Sequence, residues 1–145
     1  MLAHCDFVYA AESAKFQVPF VNLALVPEFG SSYLLPLRSG YIGAAEIILL
    51  GQPFDAGRAA ALGLMTQVVP DQSVLATATQ TAESLAKKPA GALQACKRLM
   101  KRGAREQLEQ AVRFENEEFA ARVTSAEAKE AFTAFFAKRR PVRSQ

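Results

Sequence analysis

The pattern of the sequence changes at Pro70, and this change restricts the folds that the chain can adopt. Before Pro70, short segments rich in β-branched and aromatic residues alternate with helical segments, as in an α/β protein. We predict strands over residues 7–10, 15–18 and 64–69, and helices from near Ser31, over residues 41–50 and after the N-cap Asp55. After Pro70 the sequence predicts only helices, over residues 73–88, 89–102, 105–123 and 126–139. Residues 1–70 are therefore predicted to form an α/β core, and residues 71–145 a helical subdomain.

The composition fits a soluble protein. Of 145 residues, 50% are hydrophobic and 21% are charged, which is enough apolar material for one core. No run approaches the roughly 20 apolar residues that span a membrane, because the run that ends at Leu50 is followed by Gly51, Gln52 and Pro53. The first residues lack the basic region and the cleavage pattern of a secretory signal. We therefore expect a cytoplasmic protein that does not associate with membranes.

The charges divide the chain into an acidic part and a basic part. Residues 1–86 hold three basic and seven acidic side chains, whereas residues 87–145 hold fourteen basic and seven acidic ones. The basic part suits an anionic ligand, but its charges alternate with acids at helical spacing and form no motif that reads nucleic acid. We therefore expect a small phosphorylated ligand and no nucleic acid.

The cysteines and the histidine limit the kinds of site that the chain can form. Cys5 and Cys96 are far apart, which suits neither a disulfide framework nor a zinc site. We expect them to be buried thiols and expect no metal site. His4 is the only histidine, so a nucleophile–histidine mechanism would have to use a residue beside Cys5. Of the other acids, we interpret Asp6 as a turn former and Glu46 as the partner of a basic residue across an interface.

One acid, Glu28, stands between an apolar run at residues 21–27 and the small residues that follow Phe29. An acid in apolar surroundings is suited to proton transfer as a general acid–base. It is equally suited to stabilising the N-terminus of a helix that starts near Ser31, an effect worth about 0.3–1 kcal/mol. The residues alone leave these two interpretations equal.

Five separated parts of the sequence carry a family resemblance. They are residues 2–10 (LAHCDFVYA), 14–19 (AKFQVP), 25–32 (LVPEFGSS), 50–56 with 61–64 (LGQPFDA and ALGL), and 134–141 (AFFAKRRP). In order and spacing they resemble the crotonase (enoyl-CoA hydratase/isomerase) superfamily, over essentially the whole chain but about the second half of a family member. The resemblance implies the C-terminal part of the α/β, ClpP-like ββα spiral fold, followed by a helical trimerisation subdomain.

The resemblance also implies an activity. Where many hydratases of the family have glycine, this chain has Glu28, as peroxisomal-type Δ3,Δ2-enoyl-CoA isomerases do. Of the two glutamates that hydratases use, one is expected before Met1 and the other at the position of Phe20. We therefore expect isomerisation of an enoyl-CoA with Glu28 as the single proton-transferring group, and no hydration. Phe20, Leu25 and Phe29 are expected to line the acyl pocket, with the coenzyme A thioester as substrate and no separate cofactor.

The last helix is expected to take part in assembly. Family members form homotrimers, often paired into hexamers, and the resemblance places Phe135 and Lys138 near the acyl-CoA bound to a neighbouring subunit. Packing and favourable placement at a helix C-terminus remain alternative roles for these two side chains. Both oxyanion-hole amides are expected from segments before Met1. Two other functions stay open: a truncated, non-catalytic remnant of the fold, and another acyl-CoA reaction such as thioester hydrolysis.

Overall fold

A computed structural model describes residues 1–139, and the side chains of residues 1–137. Within these residues the strands are β1 (Tyr9–Ala11), β2 (Lys15–Phe16), β3 (Phe54–Asp55) and β4 (Gln67–Val69). The α-helices are α1 (Ser31–Leu49), α2 (Ala56–Ala61), α3 (Val74–Ala86), α4 (Ala90–Arg102), α5 (Arg105–Val123) and α6 (Ala126–Arg139). Short 3-10 helices cover Leu2–His4, Val21–Leu23 and Asp71–Ser73. The chain is thus mixed α/β before Pro70 and helical after it, as predicted.

The strands form two separate pairs. β1 runs parallel to β4, with Tyr9 opposite Gln67, and β2 runs antiparallel to β3, with Phe16 opposite Phe54. The predicted strands at residues 7–10 and 64–69 are therefore displaced or too long, because each strand extends only as far as its partner does. β3 was not predicted, since a strand of two residues is too short to show a periodic pattern.

Helix α1 holds the hydrophobic core. It begins at Ser31, as expected, and its regular geometry is interrupted at Gly40, where φ is 68° and ψ is 164°. A residue with a Cβ atom adopts that conformation only under strain, so residues 41–49 form a separate helical piece, close to the predicted 41–50. One cluster of buried core residues consists of Leu35, Ala44, Ile47 and Ile48 of α1 and Leu62, which follows α2.

The helices after Pro70 pack back onto the first part of the chain. α3 contacts β1, α5 contacts α1, and α6 contacts the 3-10 helix at Val21–Leu23. α5 and α6 have the predicted bounds, and the hydroxyl of Ser125 accepts a hydrogen bond of 3.1 Å from the Ala128 N–H in the first turn of α6. The division of the chain at residue 70 remains a prediction. Within residues 1–139, no helix combines the length and the apolar character that crossing a bilayer requires.

The expectation that the two cysteines are buried is wrong. Cys5 and Cys96 are exposed, and α4, which carries Cys96, buries none of its residues. Asp6 lies in a bend before β1, as expected of a turn residue, and it also forms ion pairs with Lys97 and, at 3.2 Å, with Lys101. The hydrogen bond from Lys97 and the charges of both lysines hold the pKa of Asp6 below its usual value. Asp6 therefore attaches α4 to the first residues of the chain.

Glu46 pairs within the chain rather than across an interface. The Arg58 Nε–H donates to Glu46 Oε1 over 3.0 Å, and a second Arg58 nitrogen contacts Glu46 Oε2. This hydrogen bonding lowers the pKa of Glu46. Arg58 lies in α2, whose N-cap Asp55 accepts the Arg58 backbone N–H over 2.7 Å as predicted. The pair therefore joins the end of α1 to α2.

Candidate functional site

A cleft of about 500 Å3 lies between the first residues, the segment after β2 and the start of α1. Most of its lining side chains are apolar, and the large ones are Met1, Leu2, Phe16, Phe20, Phe29, Phe54, Leu35, Leu64 and Met65. Glu28 is the one acidic residue among the lining residues that the structure describes. The cleft therefore combines apolar walls with a single carboxylate.

The structure brings three of the sequence-predicted site residues together. Glu28, Phe20 and Phe29 all line the cleft, and Glu28 is exposed to solvent there. Leu25 is not among the lining residues, because its side chain is buried in the fold. Contact between Leu25 and an acyl chain therefore stays a prediction.

Of the two predicted residues of α6, Phe135 is not among the residues that line this cleft. The ring of Phe135 meets that of Phe136 edge to face, with centroids 5.7 Å apart, and it is partly exposed. Lys138 belongs to α6, but its side chain lies outside the described residues. Their contact with the ligand of a neighbouring subunit stays a prediction.

Glu28 is carried on a tight turn. Phe29 and Gly30 have positive φ angles of 61° and 72°, and a non-glycine residue in this region costs of order 1–3 kcal/mol. The Ser31 N–H donates to the Glu28 carbonyl over 3.1 Å, and the Ser31 hydroxyl donates to the same oxygen. A Cβ atom on Gly30 would lie 2.3 Å from Leu108 Cδ1, so Leu108 would have to move, and the positive φ of Gly30 would strain any other residue at this position.

The turn is bonded from α5 by Glu115, a residue that the sequence analysis missed. Glu115 Oε2 accepts the Gly30 N–H over 2.6 Å, and Glu115 Oε1 accepts the Ser32 N–H over 2.7 Å. Its position carries a signal that could have revealed it. Residue 115 follows Val112 by three and precedes Phe119 by four, so an acid stands in the apolar stripe of α5.

This arrangement bears on the two interpretations of Glu28. The free N–H groups at the start of α1 are bonded by Glu115, and α1 has no side-chain cap from its own N-cap residue. Among residues 1–139, the Glu28 carboxylate forms no hydrogen bond or ion pair. The N–H groups of Gly30 and Ser32 at the start of α1 are thus bonded without Glu28, and its role, in proton transfer or in electrostatic stabilisation of the helix N-terminus, stays a prediction.

The first residues of the chain form one wall of the cleft. His4 Nε2–H donates to the Phe29 carbonyl over 2.7 Å, and the two rings meet edge to face with centroids 4.7 Å apart. Arg38 donates to the Cys5 carbonyl over 3.1 Å. On the other side of His4 and Phe29 lies a shallow groove that Leu108 also lines. Among the described residues, His4 thus hydrogen-bonds a backbone carbonyl and no serine, threonine or cysteine side chain.

The segment that carries Phe20 is fixed by side-chain amides. Gln17 Nε2 and Asn22 Nδ2 both donate to the Gly51 carbonyl, over 2.8 and 2.7 Å. These bonds hold the chain on both sides of Phe20 against the end of α1. No group of three His, Cys, Asp or Glu side chains within residues 1–139 is arranged to hold a metal ion.

Comparison with known proteins identifies the family. The model of the enoyl-CoA hydratase/isomerase family matches residues 1–145. A "Probable enoyl-CoA hydratase" of Rhizobium meliloti (strain 1021) is 34% identical over 136 residues, which are 94% of this chain and 53% of that protein. Human enoyl-CoA delta isomerase 2 is 35% identical over 108 residues, 74% of this chain and 27% of that protein.

A solved structure agrees with the sequence match. The crystal structure of an enoyl-CoA hydratase/isomerase from Pseudoalteromonas atlantica T6c superposes with a TM-score of 0.91 and 39% identity, over 99% of this chain and 58% of that one. The chain thus has the crotonase fold, and it spans about half the length of the Rhizobium and Pseudoalteromonas proteins and about a quarter of the human one. On the family match and the shared fold together, the chain belongs to the enoyl-CoA hydratase/isomerase family.

Proposed function

We propose that the protein is an enoyl-CoA isomerase, which shifts a double bond from C3 to C2 of an acyl thioester by proton transfer through Glu28. One observation carries this choice: Glu28 is the only acidic residue among the described residues of the cleft, and Phe20 lines the same cleft. Relatives with both hydratase and isomerase names support enoyl-CoA chemistry in general. The single carboxylate favours isomerisation among these reactions.

One carboxylate is sufficient for this reaction. The Glu28 carboxylate takes a proton from C2 of the 3-enoyl thioester, which leaves a dienolate and a carboxylic acid. The same acid returns the proton at C4, so that the double bond lies between C2 and C3 and the carboxylate is restored. No atom is gained or lost, and the reaction needs no cofactor beyond the coenzyme A of the substrate. Phe20 and Phe29, which line the same cleft as Glu28, provide apolar contact for the acyl chain.

The test follows an isotope from C2 to C4. The whole gene product is incubated with a 3-enoyl-CoA carrying deuterium at C2, and the 2-enoyl-CoA product is analysed by mass spectrometry and NMR. A single-carboxylate shuttle predicts that part of the deuterium appears at C4, in competition with exchange against solvent. Absence of isomerisation contradicts the proposed function, and deuterium at C4 supports transfer by a single carboxylate.

We further propose that the protein assembles as a homotrimer or a pair of trimers. Much of the exposed apolar surface lies on α1, where Tyr41 and Ile42 are 78% and 85% exposed, and single-chain proteins rarely leave such patches uncovered.

Light scattering at about micromolar concentration is expected to return the mass of three or six chains, because a cyclic assembly covers these faces. A matched variant, Ile42→Lys, places a charge in the exposed face and is expected to lower the measured mass. A monomer of the unmodified chain at that concentration contradicts the assembly, because an affinity in the micromolar range corresponds to only about 8 kcal/mol.

A further inference from the structure

Glu115 is the one charged residue that is buried among those the structure describes, with 6% of its surface exposed. A carboxylate away from water is unfavourable unless hydrogen bonds satisfy both of its oxygens. Here both oxygens accept backbone N–H groups, from Gly30 and Ser32, which are 85 and 83 residues away in the sequence. Hydrogen bonds to an ionised acceptor are stronger than neutral ones. Glu115 therefore makes a tight, long-range connection to one short segment.

That segment includes the backbone of Glu28. Gly30 and Ser32 flank Ser31, whose N–H and hydroxyl both bond the Glu28 carbonyl. Residues 28–32 thus form one hydrogen-bonded unit. Its Gly30 and Ser32 N–H groups have no acceptor within the unit and donate to Glu115 instead. Because the unit contains two successive residues with positive φ, its conformation depends on such outside contacts.

Glu115 does not line the cleft, so it cannot act on a bound substrate directly. We propose that Glu115 is a positioning residue, whose carboxylate holds the turn at residues 28–32 so that the Glu28 carboxylate keeps its place in the cleft. This inference rests on the proposed function, since the place of Glu28 matters most if Glu28 transfers the proton. A misplacement of about 1 Å in a reacting group can cost about 10²-fold in rate.

The first experiment is Glu115→Gln in the whole gene product. Gln has nearly the same shape, but its amide nitrogen cannot accept an N–H group, so one backbone donor loses its partner. We expect kcat for 3-enoyl-CoA isomerisation to fall about 10²-fold, while KM changes little because no residue of the cleft is altered. Two controls are expected to keep the original kcat. Glu118→Gln makes the same chemical change on an exposed part of α5, and Thr81→Val removes the hydrogen bond to the Tyr9 hydroxyl elsewhere in the fold.

A second experiment measures the turn without reference to activity. Amide hydrogen exchange reports local opening, so the Gly30 and Ser32 amides are expected to be protected in the original protein. In Glu115→Gln they are expected to exchange at least about tenfold faster than in Glu118→Gln, since one of their acceptors is lost. If the original protein does not isomerise 3-enoyl-CoA, the proposed function fails, and the exchange rates still decide whether Glu115 holds the turn.

Several outcomes overturn the positioning role. They are unprotected Gly30 and Ser32 amides in the original protein, a kcat of Glu115→Gln within twofold of the original, and an equal loss of kcat in Thr81→Val. If Glu115→Gln does not fold, Glu115→Asp takes its place, because it keeps the charge but withdraws it by one methylene group. Reduced kcat with unchanged KM in Glu115→Asp supports the role, and full kcat overturns it.

Discussion

Glu28→Gln is expected to lower kcat for 3-enoyl-CoA isomerisation by about 10²- to 10⁴-fold, the range that general acid–base groups contribute. The amide cannot take the C2 proton, and the other residues described in the cleft include no second acid to replace it. Binding of a 2-enoyl-CoA, measured by titration calorimetry, is expected to remain within a few-fold of the original. The reason is that the variant loses an interaction made only in the transition state.

The matched control is Glu12→Gln, which makes the same change at an exposed position in the turn after β1. It is expected to keep the original kcat and KM. Retention of more than a tenth of the activity in Glu28→Gln assigns the chemistry to another group. A loss of binding equal to the loss of kcat assigns Glu28 to substrate binding.

The helices could be predicted from the sequence because their signals are local. α5 alternates apolar and charged positions at helical spacing, and α6 begins after Ser125, a residue suited to the N-cap position. Both helices have the predicted bounds. The start of α2 was also predicted from a local signal, because Asp55 is a residue type suited to the N-cap position.

The strands could not be placed as well, because their extent depends on distant partners. β1 pairs with β4, which lies 58 residues further along the chain, and not with the neighbouring β2. Residues such as Phe7 have strand-forming character but no partner strand, so Phe7 is left exposed outside β1. Nothing in the local sequence indicates which residues of an apolar segment will meet such a partner.

Only part of the candidate site was predictable, because some of its contacts join residues far apart in the sequence. Glu28 is recognisable as a single acid at the end of an apolar run, and the family motifs place it. Glu115 acts through contacts with residues 83 and 85 positions earlier, which no local pattern reveals. The one local sign of Glu115 is that it lies among the apolar residues of α5. Because α5 contains many acidic and basic residues, an ion pair at the surface was a simpler explanation for this acid.

Hydration of a 2-enoyl-CoA is expected to be at least about 10²-fold slower than isomerisation of a 3-enoyl-CoA by the same preparation. The reason is that hydration lacks a second general acid–base group, which typically contributes about 10²-fold or more. Adding water across the double bond requires a second carboxylate to position the water. Phe20 stands where the resemblance expects that carboxylate, and it lines the cleft with Glu28. The measurement compares the loss of the conjugated 2-enoyl thioester absorbance with its appearance from the 3-enoyl isomer.

The ratio of the two rates separates this prediction from a general loss of activity. Phe20→Leu keeps the cleft apolar and adds no acid, so we expect it to alter KM for the acyl chain while the ratio remains as low as in the original protein. Comparable rates of hydration and isomerisation in the original protein contradict the single-carboxylate mechanism. They require a second acid near Glu28, and none of the other lining residues described between 1 and 139 is acidic.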